Sequence, residues 1–236
     1  MQKLWQLAQE WDLFAACAEI ESRGDAPQVA SAYAEFANWV LSDRHDVPAM
    51  AAVSRAGIQY SLSEAVRCQE KDPDRAQQLK GAAKSMAYNL GANSWPGWND
   101  QNIRLNASDL AAGLDAARLN LRLGKELKRG PEPMGNAYWL LGAQQIADRQ
   151  YGQARDSFDH AAIEFKSAGK EDYELMARGY ISLARLLAGT PGAAEELKAA
   201  IAALNGRQSE DAKFFAQQIE TAREVFQRTL SKDDAR

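Results

Sequence analysis

At 236 residues the chain is long enough for one large domain or two small ones, with a core that buries roughly 70% of the surface an unfolded chain exposes. Its 28 basic residues are scattered among 32 acidic ones for a net charge of −4, which disfavours nucleic-acid binding because no basic stripe faces the phosphates. No run approaches the ~18 apolar residues of a membrane span, and Met1–Trp11 lacks the apolar core of a signal peptide, so a cytoplasmic protein with no membrane contact is expected.

Ala, Leu, Gln and Glu dominate from the first residues onward, β-branched residues are sparse, and no alternating apolar run of strand length appears. The sequence therefore predicts an all-α chain. Breakers divide it at Gly24-Asp25-Ala26-Pro27, Asp46-Val47-Pro48, Asp72-Pro73, Ser94 to Asn102, Gly130-Pro131-Glu132-Pro133, Gly169-Lys170, Gly189-Thr190-Pro191-Gly192 and Asn205-Gly206, giving about ten helices. Asp25, Asp46, Asp72 and Thr190 precede a Pro by one or two residues, the arrangement of an N-cap followed by N1. Gly206 suits a left-handed position after the helix that ends near Leu204, and Ser231 to Arg236 read as a tail. Because the connections are short, consecutive helices are expected to fold back antiparallel.

The clearest amphipathic stretch is Tyr138 to Phe165, where Ala154, Phe158, Ala161, Ala162 and Phe165 share one helical face. Small residues at Gly142 and Ala154 allow two helix axes to approach closely. Within it stand Tyr138-x2-Leu141-Gly142-x2-Gln145 and then Tyr151-x2-Ala154-x3-Phe158-x2-Ala161. This spacing resembles the tetratricopeptide repeat, whose pattern is Trp-x2-Leu-Gly-x2-Tyr, then Ala-x3-Phe, then Pro; here Gln145 replaces the second aromatic and no Pro closes the unit. Weaker copies lie at Tyr88-Asn89-Leu90-Gly91 with Leu110, Leu114 and Ala117, and at Ala177-x2-Tyr180 with Ala193, Leu197 and Ala200.

The anchors Leu114, Phe158 and Leu197 are 44 and 39 residues apart, against about 34 for the family, so a helical-hairpin stack of the HEAT type, at ~40–47 residues per unit, stays open on period alone. The resemblance implies a right-handed solenoid of stacked helical hairpins over 73–204 within a single domain 1–236. Helices of residues 1–70 precede the hairpins and a capping helix over 207–230 follows.

In such arrays the first helix of each hairpin lines a concave surface. Carried onto this chain, the lining positions include Tyr88, Asn89, Asn136, Trp139, Ala143, Glu171, Glu174 and Arg178. Asn89 resembles the asparagine with which some family members hold a peptide carboxylate, but the accompanying lysines are missing and Glu171 and Glu174 bring the opposite charge. Asn93 to Asp100 carries two tryptophans around a Pro-Gly turn; Trp95 and Trp98 either plug the end of an inter-helix groove or form an aromatic platform at the rim of a binding site.

No catalytic constellation stands out. The two histidines are separate: His160 lies one turn after Asp156 on a helix, and His45 sits at a helix junction where capping is the simpler role. Cys17 and Cys68 have no CxxC partner and read as small apolar residues. Glycine-rich phosphate loops are absent from the sequence, as is a metal-ligand spacing. The expectation is therefore a scaffold, not an enzyme, with no cofactor and no metal. A protein or peptide partner would lie in a concave groove, contacted by Tyr88, Asn89, Asn136, Trp139 and Arg178 with Trp95 and Trp98 at its edge. A small-molecule sensor with the Trp95–Trp98 loop as lid is the second reading, and a homodimer through Ala-rich faces the third.

Overall fold

The structure, a computed structural model, describes residues 1–233 and the side chains of residues 1–229. Among the described residues it is all-α, with eleven α-helices and one 3₁₀ turn where about ten helices were expected. Two compact units form, one from Met1–Ser94 with Asn102–Leu127, the other from Trp95–Gln101 with the chain from Lys128 onward.

The first unit holds α1 (Gln2–Glu10), α2 (Leu13–Glu21), α3 (Ala26–Arg44), α4 (Val47–Cys68), α5 (Pro73–Asn93) and α6 (Ala107–Glu126). The aspartates before the prolines start these helices as expected. Asp25 accepts from Gln28 N at 3.2 Å while Gln28 Oε1 accepts from Asp25 N at 2.9 Å; Asp46 and Asp72 accept from Ala49 N and Arg75 N at 2.9 and 3.0 Å. Each such cap contributes about 1 kcal/mol by satisfying otherwise orphaned amides. A break that no Pro or Gly announces accounts for the extra helix: Asp12 accepts from Ala15 N at 2.8 Å and opens α2 directly after α1.

Within this unit α3 packs on α4 and α5, and α4 also touches α2 and α6. Alternate helices thus fall into two layers, α3 and α5 in one, α2, α4 and α6 in the other. Tyr33, Phe36, Met50, Val53, Met86, Leu90 and Leu123 fill the space between them.

The second unit comprises the 3₁₀ turn Pro96–Trp98, α7 (Pro131–Ala147), α8 (Tyr151–Ser167), α9 (Glu171–Leu187), α10 (Ala193–Asn205) and α11 (Glu210–Asp233). Helix α7 packs on α8, α8 on α9, and α9 on both α10 and α11. Two expected helix ends differ. Thr190 does not cap α10; Gly192, at φ 79°, does, because a turn bonds Ala193 N to Thr190 O and carries the chain two residues further before the helix starts. Gly206 ends α10 at φ −73°, in the right-handed region, since its N–H continues the helical pattern to Ala202 O. Helix α11 takes in Ser231–Asp233, assigned to a tail from sequence, while the rest of that tail, 234–236, lies outside the described residues.

Candidate functional site

The positions expected from sequence to line a groove are divided between the two units. Tyr88 and Asn89 are half-buried on α5 in the first unit, whereas Asn136, Trp139, Arg178, Trp95 and Trp98 belong to the second. Trp139 is only 5% exposed and Trp95 2%, so both stand among the core residues, whereas the sequence reading placed them on or at the edge of a binding surface.

The reason lies in the segment after α5. Trp95 inserts its indole among side chains of three helices: Trp139 on α7 at 5.7 Å between ring centroids, Tyr180 on α9 at 6.1 Å and Phe226 on α11 at 6.1 Å. Its Nε1–H donates to the Ala143 carbonyl at 2.9 Å, meeting the polar requirement of a buried indole. Ala143 and Trp139 are the positions where a groove ligand was expected, so the chain's own tryptophan takes the place of that ligand. Gly97 makes the fold-back feasible, because a Cβ there would lie 2.3 Å from the Trp95 ring. Trp98 packs edge-on against Trp95 at 5.1 Å and remains 38% exposed. Of the two readings of this loop, Trp95 is the plug and Trp98 its outer cover.

The remaining charged positions of that surface are paired within the second unit. Glu174 accepts from Arg178 at 2.7 Å, and Arg207 donates to Glu171 and Asp172 at 2.8 and 2.7 Å. Asn136 is half-buried.

A different site appears in the first unit. Helix α4 buries Met50, Val53, Ser54, Gly57, Ile58 and Ser61 on one side, and on another presents Ala52, Arg55, Ala56, Gln59, Tyr60, Ser63, Glu64 and Arg67. The second set recurs at intervals of three and four residues, one stripe of a helix. Facing it, α2 supplies Leu13, Phe14, Cys17 and Glu21, also a single stripe, and α3 supplies Tyr33; together they enclose a cleft of about 690 Å³. A smaller cleft of about 250 Å³ adjoins it, where Arg55 and Gln59 meet Ala112, Asp115, Ala116 and Leu119 of α6. Sequence reasoning missed this face because its α4 stripe is, apart from Tyr60, made of small or polar residues. The available signal was the second stripe on α4, of the same period as the core stripe.

Tyr33 donates its hydroxyl to Glu21 Oε1 at 2.7 Å, and its ring lies 6.0 Å from that of Tyr60. Burial and the bond to Glu21 push the Tyr33 phenol far above its ordinary range, and burial likewise raises Tyr60. Burial also raises the Cys17 thiol, so at neutral pH the cleft presents no thiolate nucleophile. Glu64 accepts from Arg67, and Gln59 donates to Ser63 Oγ at 3.2 Å. Phe14 stands 84% exposed at the lip. The arrangement offers shape, aromatic surface and a few polar groups, which is the chemistry of binding.

His45 ends α3 in the left-handed conformation at φ 54°, its N–H bonded to Leu41 O. His160 Nδ1 lies 2.7 Å from the Asp156 carbonyl and its ring stacks on Tyr138 at 4.9 Å, while the Asp156 carboxylate pairs with Arg155. Cys17 and Cys68 are both free thiols. Among the described residues no group of three or more His, Cys, Asp and Glu is placed to hold a metal ion, and no helix is long and apolar enough to cross a membrane. Comparison with protein-family models finds none that matches the chain, and comparison with curated proteins finds no significant relative.

Proposed function

We propose that this chain is an interaction module built from stacked helical hairpins, similar in plan to a right-handed tetratricopeptide-type array, and that it holds a segment of a partner protein on the α2–α4–α6 face of its first unit. One observation carries the reading: α4 turns a second stripe, Ala52 to Arg67, outward between the facing stripes of α2 and α6. At 1.5 Å per residue that stripe runs about 22 Å, long enough for several turns of a partner helix or a short extended peptide. The exposed ring of Phe14 beside it is the kind of apolar surface that a partner covers.

The test places charge in the cleft. Ala56→Arg should remove the native partner from affinity purification while circular dichroism and melting temperature stay unchanged. If Ala56→Arg leaves recovery intact and Asn136→Ala with Arg178→Ala abolishes it, the binding face belongs to the second unit instead.

A small-molecule reading also has a specific observation behind it. The volume of about 690 Å³ falls within the roughly 300–1,000 Å³ of ligand pockets. In this form the reading uses the α2–α4 cleft and not a Trp95–Trp98 lid, since Trp95 is locked in the core.

A further inference from the structure

We propose that the α2–α4 cleft binds a small amphipathic carboxylate, with the carboxylate on Arg55 and the apolar body between Phe14 and Tyr60. The proposal rests on the small-molecule reading of the cleft and goes beyond it in naming the ligand's chemistry and its orientation. It does not depend on a protein partner.

Charge layout is the first argument. The acids around the two adjoining clefts are committed within the chain: Glu64 to Arg67, Asp115 to Arg118 at 3.4 Å, and Glu21 to the Tyr33 hydroxyl at 2.7 Å. Arg55 lines both clefts, yet among the described residues it has neither an ion pair nor a hydrogen bond. A guanidinium beside apolar walls is a preformed two-pronged donor for a carboxylate, and here the chain does not supply one.

The second argument is the direction the cleft imposes. At the Tyr60 end of the cleft Glu21 and Glu64 are accompanied by Arg67 and Arg75. Arg55 stands near the start of the α4 stripe, and Glu64, already paired with Arg67, near its end. An anionic head is attracted to the unpaired Arg55, whereas at the far end Arg67 is already taken by Glu64, which orients the ligand along the helix.

The walls carry Leu13, Phe14 and Cys17 on α2, Ala52 and Ala56 on α4 and the Tyr33 ring, with Gln59 and Ser63 as polar groups between Arg55 and Glu64. From Arg55 to Glu64 the helix advances about 13 Å, which suits an extended body of about ten carbons. Ala52 and Ala56 leave the width that such a body needs.

The test uses the purified full-length chain with decanoate, decanol and decyltrimethylammonium as probes, followed by calorimetry and by tyrosine fluorescence. Decanoate is expected to bind one to one and at least tenfold tighter than either neutral or cationic analogue. Arg55→Gln, at an exposed position that the fold does not use, should reduce decanoate to the level of decanol. Ala56→Trp, which fills the cleft, should abolish all three. Equal binding of decyltrimethylammonium and decanoate, or unchanged decanoate affinity in Arg55→Gln, would overturn the carboxylate assignment while leaving the cleft as a site. Absence of saturable binding by any probe to the unsubstituted chain would overturn the small-molecule reading itself.

Discussion

A methyl group added to Gly142 on α7 would lie 2.7 Å from Cε1 of Phe158 on α8, so the Phe158 ring rests directly on the Gly142 backbone. Seven residues away the contact repeats, Gly135 against Phe165 at 2.7 Å. Two turns down one helix correspond to two turns up the other, which sets the pair antiparallel and in a single register. Gly142→Ala should therefore destabilise the protein by about 1–3 kcal/mol through overpacking. Gly152→Ala on α8, where nothing lies within 4 Å of the added methyl, should be neutral or stabilising by up to about 1 kcal/mol. Urea denaturation of the two variants compares them directly; equal midpoints would refute the close approach.

Trp95 behaves as an internal ligand of the second unit, and its removal should leave a cavity of its own shape. Trp95→Ala is expected to cost about 3–5 kcal/mol. Added indole should recover part of that loss, because the ring can reoccupy the space between Trp139, Tyr180 and Phe226 and donate again to Ala143 O. A melting temperature of Trp95→Ala that does not respond to indole would show that the cavity collapses.

Tyr180 is fully buried, and its hydroxyl has no hydrogen-bond partner among the described residues. Tyr180→Phe should thus be neutral or about 1 kcal/mol stabilising, since an unsatisfied buried hydroxyl is removed at nearly constant shape. Burial holds the phenol well above its ordinary value of 10.0. The folded form stays neutral while the unfolded chain ionises near pH 10, so this stability is present below about pH 10 and is lost as pH rises further. At pH 11 the loss should reach about 1 kcal/mol relative to pH 8, and Tyr180→Phe should show less of it. Urea midpoints at the two pH values measure the difference.

Gln145 occupies the position where the tetratricopeptide pattern has an aromatic residue, and it is buried with its Oε1 accepting from Ser157 Oγ at 2.7 Å. The hydrogen bond joins α7 to α8 where a ring would otherwise pack. Ser157→Ala alone should cost about 1–2 kcal/mol by stranding the amide oxygen. Adding Gln145→Leu should restore most of that loss, a coupling that a double-mutant cycle detects. Additive losses would mean that the two side chains act independently.

Helix boundaries were legible wherever a local side chain closes them. Asp25, Asp46 and Asp72 bond amides three residues away, so the information sits within one turn of chain. The break at Asp12 uses the same bond but lacks the proline that announces the others, and it was overlooked for that reason. The close packing at Gly142 was also readable, because small and large residues alternate along α7 and α8. The candidate site was less so. Trp139 sits on a helix whose every side carries apolar residues, and which side faces outward depends on what covers it. That cover is Trp95, more than forty residues earlier in the chain.

By itself the sequence determined the all-helical character of the chain, most of its helix starts and the close pairing around Gly142, since these follow from backbone propensity, caps and side-chain volume within or between consecutive helices. The tertiary structure alone decided which faces remain open. Burial of Trp139 beneath Trp95, and the meeting of the α2 and α4 stripes around an uncommitted Arg55, depend on contacts between segments distant in sequence. Exposure is a property of those contacts, and residue type does not carry it.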